Sequence, residues 1–394
     1  MTPGGDLPRF EFATAARIVF GLGTAAGLPE LVAGFGQRVL VVAGARPERH
    51  RPVLDALRHR AATVDLLAVA GEPTLAVVEE GVRRARRARC EVVLALGGGS
   101  ALDAGKAIAA LAATPGEVLD YLEVVGGGAA LPGPGLPCIA APTTAGTGAE
   151  VTRNAVLTVP AAGVKVSLRS PFLLPRVALV DPELTYDLPT APTAATGLDA
   201  LTQLIEPYLS NRANPLTDTL CRDGIGRAAT ALPVAVRDPR NAAARSDLGL
   251  AALYSGLALA NAGLGAVHGF AAPIGGLFPA PHGAVCAALL PHVLRANLAA
   301  LQTRAPTSPT LQRFDEVARL LTGRSAALAA DAVAFCAALV RELAIPPLAT
   351  WGVGREHLPA IVAKAAVASS MKGNPIVLTP YELTAILEAA LEEG

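Results

Sequence analysis

Short runs of Val, Leu and Ile alternate with amphipathic segments through the first half of the chain. The runs show no clean alternation with polar residues, which is typical of strands that helices cover on both faces. Strands separated by helix-length segments indicate βαβ units and a mainly parallel sheet. The predicted strands span residues 38–44, 62–69, 91–100 and 136–144.

The pattern changes after the segment VALVDPEL at 177–184, and nearly all of the remaining chain reads as Ala- and Leu-rich helix. A chain of 394 residues is longer than a single hydrophobic core usually supports. We therefore predict two domains, an α/β domain over 1–188 and an all-helical domain over 189–394. The predicted helices are 193–209, 216–233, 243–262, 265–275, 284–297, 311–321, 326–342, 356–369 and 379–391.

Composition narrows the classes of partner. Hydrophobic residues make up 52% of the chain and charged residues 17%, yet no uninterrupted apolar run reaches the roughly 20 residues of a membrane-spanning helix. We expect no membrane partner and assign the apolar excess to core and subunit interface, which favours a homodimer or larger assembly.

Charge points towards a small-molecule substrate. Lys plus Arg and Asp plus Glu number 33 each, so no global field favours nucleic acid or an anionic membrane. The one arginine-rich stretch, at 83–89, falls on a predicted helix and is interpreted as a solvated face.

The five cysteines are widely spaced and form no CxxC pair. This spacing fits neither a disulfide scaffold nor a thiolate zinc site, and buried thiols in a reducing compartment explain it better. The N-terminal segment MTPGGDLPRFEF lacks the charged-then-apolar pattern of an export signal. We therefore expect a cytoplasmic protein.

Two polar loops follow successive predicted strands. GGGS at 97–100 precedes a good helix former, and glycines at such a turn let a phosphate approach the helix N-terminus, where Ser100 can act as a cap. PTTAGTGAEVT at 142–152 follows the next strand. Each loop alone could be a plain turn, but two at one carboxyl edge favour a Rossmann-like, dinucleotide-binding cleft.

The helical half contains a candidate metal site. Asp199 and Gln203 are four residues apart and share a helix face, and His268 and His282 each adjoin a glycine in apolar surroundings. A carboxylate with imidazoles suits iron or zinc. Helix-capping or hydrogen-bonded core histidines explain the same spacing equally well.

Taken together, these segments resemble the iron-containing (group III) alcohol dehydrogenase family. The similarity runs in consistent order through GGGSALDAGKA, PTTAGTGAEVT, ALVDPEL, GLDALT, VHGFA and PHGAVCAALLPHV, across most of the chain. The resemblance implies an N-terminal nucleotide domain, a C-terminal helical domain, and hydride transfer between nicotinamide and a small alcohol or aldehyde at a metal ion.

The resemblance also implies residue roles at the cofactor. Gly98, Gly99 and Ser100 would hold the pyrophosphate, with Asp103 at the start of the following helix. The family pattern further places Thr143, Thr144 and Thr147 along the cofactor and Lys165 at its ribose or nicotinamide side.

At the metal, Asp199, His268 and His282 match three of the family's four ligands. Gln203 stands where the family pattern has the fourth ligand, a histidine, and an amide oxygen is the poorer ligand for iron or zinc. We expect Gln203 to ligate weakly or to contact a bound water. Ala272 replaces a second family histidine, which is associated with proton relay, so no catalytic residue is assigned.

The adenosine end favours NADP(H) over NAD(H). Dinucleotide folds that prefer NAD usually place an acidic side chain on the ribose 2′-OH. Here the strand at 38–44 ends in Gly44, which leaves room for a phosphate, and Arg46 could pair with one.

The leading hypothesis is therefore an NADP(H)-linked alcohol dehydrogenase or aldehyde reductase with a divalent metal, acting on a small alcohol, aldehyde or oxoacid. A metal-independent reductase resembling the maleylacetate reductase branch is the alternative, with Arg153 and Lys165 as its nearest cations. A non-redox enzyme resembling dehydroquinate synthase, or a decayed binding protein, is a more distant one. The shape of the substrate pocket is expected to depend on the loops around Phe270, Phe278, Tyr208 and Trp351.

Overall fold

A computed structural model describes residues 9–61 and 63–392. Residues 1–8, which carry most of the argument about an export signal, and Ala62, the first residue of one predicted strand, lie outside the described residues.

The first part of the chain forms a parallel sheet that helices cover on both faces. Its spatial order is β1-β8-β5-β4-β2-β3, and every neighbouring pair is parallel. The strands of the described chain are β1 (Ile18–Phe20), β2 (Arg38–Gly44), β3 (Thr63–Val69), β4 (Val92–Gly97), β5 (Cys138–Pro142), β6 (Asn154–Val159), β7 (Val164–Arg169) and β8 (Val177–Val180).

Helices α1 (Leu28–Ala33) and α2 (Arg51–Arg60) lie on one face of this sheet, and α3 (Leu75–Arg87) and α4 (Gly99–Ala112) lie on the other. Strands β2 and β4 are buried on both faces, which explains why their sequences are continuously apolar. From β2 the chain goes first to β3 on one side and then crosses to β4 on the other side of β2, so the strand order reverses between β2 and β4. Ligands bind outside the carboxyl ends of the strands at such a switch point.

A two-stranded antiparallel hairpin of β6 and β7 was not predicted. Its turn ends at Gly163, whose φ of 62° lies in the left-handed region that favours glycine. The hairpin leaves the main sheet and carries Lys165 to the neighbourhood of the helical part, where α8 and β7 are in contact.

The second part is all-helical, which confirms the predicted fold class. Each of the nine predicted helices corresponds to an observed one, although the helix predicted at 284–297 continues to Arg304. The helices are α5 (Thr190–Leu209), α6 (Pro215–Arg237), α7 (Ala242–Ala262), α8 (Ala266–Leu277), α9 (His282–Arg304), α10 (Thr310–Thr322), α11 (Ala329–Glu342), α12 (Leu358–Ala366) and α13 (Pro380–Glu392). The division of the chain after residue 188 stays a prediction.

Helix α9 is long and apolar enough to cross a membrane. However, 83% of its apolar window is buried inside the protein, as expected for the core helix of a bundle. Much of the apolar excess in the composition is therefore core of this second part.

Local pairing engages three of the five arginines in the stretch at 83–89. Arg83 and Arg84 both pair with Glu80 on the same helix. Arg86 donates to three carbonyl groups at the C-terminus of α4, including that of Leu111 at 3.1 Å, and thereby satisfies carbonyls that the helix leaves free.

The two parts meet where the loop after β5 packs against α5 and α7. Gly148 in that loop has a φ of 59°, and a Cβ on it would lie 2.3 Å from the Cα of Gly256 on α7. Only glycine permits this close crossing of backbones. The loop is thereby held against α7 and beside α5, the helix that carries Asp199 and Gln203.

Candidate active site

Two polar loops touch each other at the carboxyl edge of the sheet. We call residues 97–100 the glycine loop and residues 142–152 the threonine loop. The N–H of Thr143 donates to the carbonyl of Gly97 at 2.9 Å. A Cβ on Gly99 would lie 2.9 Å from the side chain of Thr147, so glycine is needed for the loops to approach this closely.

The glycine loop leads directly into α4. Gly98 is the N-cap of the helix, and its carbonyl accepts the first hydrogen bonds, from the N–H groups of Ala101 and Leu102. The N–H groups of Gly99 and Ser100 precede this ladder and are the groups that an anion can bind. Ser100 lies inside the first turn, so the expectation that it caps the helix is wrong.

Thr143, Thr144 and Thr147 are each half-buried, whereas Ala145 and Gly146 between them are buried. The threonine loop therefore presents these three threonines beside the glycine loop, whereas Thr152 at its end is buried. This is the arrangement that the family resemblance implies for residues along a dinucleotide.

Asp103 lies on α4 with both carboxylate oxygens engaged by the protein. One oxygen accepts from the N–H of Val156 at 2.9 Å, and the other pairs with Lys106 at 2.9 Å. The ammonium of Lys106 also donates to the carbonyls of Ala149 and Asn154. These bonds tie α4 to the threonine loop and to β6.

Lys165 lies between the two parts of the chain. Its side chain is 11% exposed, and its ammonium is 3.3 Å from a carboxylate oxygen of Glu72. A Cβ on Gly275 of α8 would be 3.1 Å from that ammonium. The cation is therefore held against the helix that also carries His268.

Gly44 lies at the switch point of the sheet. Ala43 of β2 pairs with Leu96 of β4, and a Cβ on Gly97 would lie 2.9 Å from the N of Gly44. A Cβ on Gly44 itself would meet nothing within 4 Å. Arg46 is exposed two residues later, so this strand end has both the open space and the cation that were predicted.

Three helices bring a cluster of ligand-type side chains together. The cluster consists of Asp199 on α5, His268 on α8, and His282 and Cys286 on α9, with one candidate ligand atom from each within 4.8 Å of the others. Asp199 Oδ1 lies 3.4 Å from His268 Nε2 and 3.8 Å from His282 Nε2. We call these four residues the ligand cluster.

Glu206, about two turns after Asp199 on the same face of α5, orients His268. Its carboxylate lies 2.6 Å from His268 Nδ1 and accepts the N–H of Val267 at 2.7 Å. A carboxylate on one ring nitrogen leaves the other, Nε2, directed at the cluster and makes it a better ligand.

The electrostatics of the ligand cluster favour positive charge. Burial alone would raise the pKa of Asp199, but His282 and His268 hold it below its usual value. Burial alone would lower the pKa of His268, yet the neighbouring Cys286 and Glu206 raise it well above its usual value. Cys286 is also the main cause that raises the pKa of His282 to about 9. Anionic groups thus stabilise positive charge in this cavity.

Comparison with known families covers both parts of the chain. The sequence model described as "Iron-containing alcohol dehydrogenase" matches residues 15–182, and the model for the C-terminal part of the Fe-containing alcohol dehydrogenase family matches residues 193–391. The chain belongs to the iron-containing alcohol dehydrogenase family. It is accordingly an oxidoreductase acting on CH–OH groups.

Individual family members are similar over most of their length. The chain is 38% identical over 319 residues to a 1,3-propanediol dehydrogenase of Klebsiella pneumoniae, 79% of each chain. It is 36% identical over 321 residues to alcohol dehydrogenase 4 of Saccharomyces cerevisiae, 81% of each chain. A crystal structure of a 1,3-propanediol oxidoreductase superposes with a TM-score of 0.88 at 32% identity, covering 97% of this chain and 100% of that one.

This member of the family departs from the family pattern at Gln203. The structure brings Gln203 beside Asp199 on the buried face of α5, but its Oε1 lies 3.2 Å from the hydroxyl of Ser255. That hydroxyl lies at the same distance from the carbonyl of Gly146 in the threonine loop, 3.2 Å. The nearest acceptor of the hydroxyl is the carbonyl of Ala252 at 2.7 Å, so Ser255 lies between the threonine loop and Gln203.

Ala272, the second departure from the family pattern, lies one turn after His268 and is exposed on α8. A methyl group has no exchangeable proton, so no proton relay passes through this side chain. Of the four aromatic residues around which pocket loops were expected, Tyr208 and Phe270 instead lie on helices α5 and α8 and are fully buried in the helical core. Tyr208 is held there by a hydrogen bond to Glu316.

Cys286 is the residue of the ligand cluster that sequence reasoning missed. All five cysteines are free and buried, as expected, but the spacing argument against a thiolate ligand considered only pairs of cysteines. Cys286 follows His282 by four residues on one helix, which places both on one face. That spacing was the available signal.

Proposed function

We propose that this chain is a nicotinamide-dependent alcohol dehydrogenase and aldehyde reductase that uses a divalent metal and acts on a small alcohol, aldehyde or oxoacid. The observation that carries the proposal is the contact between the cofactor loops and the ligand cluster. The threonine loop reaches Ser255 and Gln203 through hydrogen-bond distances of 3.2 Å, and Gln203 follows Asp199 by one turn of α5.

The donor set fits a divalent cation. Oδ1 of Asp199 is buried without a hydrogen-bond donor among the described residues, and the free energy cost of such an atom is removed when a cation binds it. Asp199, His268 and His282 would hold iron or zinc, and the ion supplies a Lewis acid that polarises the oxygen of the substrate.

The chain's own residues bind and orient the nucleotide. The N–H groups of Gly99 and Ser100 at the start of α4 would bind the pyrophosphate, with Gly98 and the threonines of the adjoining loop alongside it. Lys165 would reach the ribose or nicotinamide from the hairpin. We assign Asp103 a positioning role, because its oxygens already bind Lys106 and the Val156 amide.

Hydride transfer itself is the chemistry of the nicotinamide, and the protein aligns it with the substrate. The decisive assay follows absorbance of the reduced cofactor with a panel of short aldehydes and oxoacids. We expect turnover with at least one of them, together with stoichiometric metal in protein purified without chelator. Full activity in EDTA, in protein that contains no metal, would contradict the use of a divalent metal. Tight cofactor binding with no turnover would contradict the whole proposal.

We propose a preference for NADP(H), supported by Gly44 and Arg46. A charge-assisted hydrogen bond is worth about 1.5–3 kcal/mol, so Arg46→Ala should lower kcat/KM for NADPH by roughly tenfold or more and leave that for NADH unchanged. Arg49→Ala, at a nearby exposed arginine, is the matched control and should alter neither. A wild-type protein that prefers NADH would contradict the proposal.

The metal-independent alternative has less support. Without a metal ion, cationic side chains would have to polarise the substrate, and Arg153 instead lies 3.6 Å from Glu11 with half of its side chain exposed. Metal content and Gln203→His together separate the two readings. Raised metal affinity and alcohol activity in the variant favour a weakened metal site, whereas a wild type and a variant that both bind no metal favour the metal-independent reductase.

We also propose a cytoplasmic homodimer or larger assembly. Five buried free thiols suit a reducing compartment. Val377 and Tyr381 are exposed by 85% and 83% in the single chain, and neighbouring exposed apolar side chains are typical of an interface. Light scattering after size exclusion should give a multiple of 39.9 kDa, and a mass equal to one chain would contradict the assembly.

A further inference from the structure

Cys286 is placed as a ligand would be. Its sulfur lies 3.7 Å from His268 Nε2 and 3.7 Å from His282 Nε2, and the side chain is fully buried. The same ring nitrogens face Asp199 Oδ1, the buried oxygen without a donor. Four potential ligand atoms of different residues therefore converge on one small volume.

Gln203 is placed differently. Its carbonyl oxygen lies beside the hydroxyl of Ser255, and its amide contributes a hydrogen bond that helps to lower the pKa of Asp199. The amide nitrogen is a donor and has no lone pair to offer a metal. In this orientation Gln203 supports Asp199 from outside the cluster.

We propose that Cys286 is the fourth protein ligand of the metal, replacing the imidazole that is absent at position 203. The set becomes one carboxylate, two imidazoles and one thiolate. This inference rests on the proposed function, because it requires that a divalent metal binds at Asp199, His268 and His282.

Binding of the metal by Cys286 involves loss of the thiol proton. The S–H bond breaks, the sulfur lone pair forms the bond to the metal, and the proton leaves to solvent or buffer. No oxidant or reductant is required. Metal uptake by the whole protein should therefore release protons, and part of that release should disappear when the thiol is removed.

The thiolate changes which metal the site prefers. A set with one carboxylate and one thiolate carries two negative charges, which balance a divalent ion, as two thiolates balance the zinc of Cys₂His alcohol dehydrogenase sites. Soft sulfur favours zinc over harder ions such as manganese and magnesium. We therefore expect zinc to be favoured at this site within a family that is named for iron.

The direct test is the spectrum of the cobalt-substituted full-length protein. A thiolate ligand gives Co²⁺ an intense near-ultraviolet charge-transfer band, whereas oxygen and nitrogen ligands give only weak visible bands. We expect the intense band in the wild type, its loss in Cys286→Ser, and its retention in Cys336→Ser, a matched buried cysteine in the core of the helical part.

Metal affinity supplies a second readout that does not depend on activity. Competition with a chromophoric chelator should show that Cys286→Ser loses zinc affinity by more than about 100-fold, beyond the usual effect of losing an outer partner of the metal. Gln203→Ala should lose no more than about tenfold. Cys286→Ser should also lower the preference for Zn²⁺ over Mn²⁺.

The outcomes separate the two proposals. If cobalt binds with only weak visible bands, or the intense band persists in Cys286→Ser, then Cys286 is not a ligand and the metal proposal survives. If Gln203→Ala costs more affinity than Cys286→Ser, the assignment of the fourth ligand is also overturned. If neither cobalt nor zinc binds the wild type, the metal in the proposed function fails. The wild-type spectrum shows whether a thiolate binds the metal even if Cys286→Ser does not fold.

Discussion

The two cofactor loops at the carboxyl edge of the sheet and the ligand cluster are built in opposite ways. At the edge of the sheet, consecutive residues of two loops act mainly through backbone N–H groups, small side chains and a helix N-terminus. In the cluster, side chains from three helices meet although Asp199 and Cys286 are far apart in sequence. Substitutions at the edge should therefore change cofactor affinity and leave metal binding intact, and substitutions in the cluster should change metal binding, with the activity that depends on it, and leave cofactor affinity intact.

Asp199→Asn should have the largest effect. The substitution keeps the shape of the side chain but removes the anionic oxygen that faces both imidazoles. A Lewis acid contributes several kcal/mol to such reactions, so kcat/KM should fall by at least about 1,000-fold. Metal content should fall with it, while the Kd for NADPH, measured by fluorescence, stays within about twofold. If metal content and affinity for NADPH were lost together, the two regions would not be independent.

Glu150→Gln sharpens the comparison at a buried position within the threonine loop. Burial raises the pKa of Glu150 from 4.5 to about 7, although Lys106 opposes the rise. An unfolded chain loses this proton near pH 4.5, whereas the folded protein keeps it to about 7, so stability falls as pH rises through that window. The full loss is about 3 kcal/mol.

The measurement is chemical denaturation of both proteins at pH 4.5 and pH 8. The free energy of unfolding of Glu150→Gln minus that of the wild type should be about 3 kcal/mol larger at pH 8 than at pH 4.5. A stability difference that does not depend on pH would show that Glu150 is ionised in the folded protein.

Glu206→Gln tests the support of the ligand cluster. The variant removes the carboxylate that holds His268 Nδ1 at 2.6 Å and should weaken metal binding roughly 10- to 100-fold. Glu316→Gln, in the hydrogen bond to Tyr208, is the control for loss of a helical carboxylate. Equal metal affinities for the two variants would argue against an orienting role.

Gly99→Ala should have the smallest of these effects. It should change cofactor binding at the edge of the sheet and leave the ligand cluster intact. The added Cβ would lie 2.9 Å from Thr147, so the loops must shift by a fraction of an ångström where α4 begins. A cost of about 1–2 kcal/mol for such overpacking raises the Kd for NADPH by roughly tenfold. Metal content and zinc affinity should not change, and a loss of metal would break the separation of the regions.

Much of the fold follows from local pattern. Strands such as Arg38–Gly44 are continuously apolar because helices cover both faces, and all nine helices of the second part were predicted within a few residues at most ends. The hairpin of β6 and β7 was missed because it leaves the main sheet, and its segments were not separated by a helix. The glycine and threonine loops could be predicted, because each follows directly from the strand before it.

The amino-acid sequence by itself determined the order of the two architectures, the two cofactor loops and three members of the ligand cluster. These features depend on periodicity and on residues close together in the chain. Tertiary structure alone decided that the Gln203 oxygen faces Ser255 and that Cys286 stands 3.7 Å from both imidazoles. The physical reason is that a ligand set is defined by distances between atoms, and the packing of α5, α8 and α9 sets those distances.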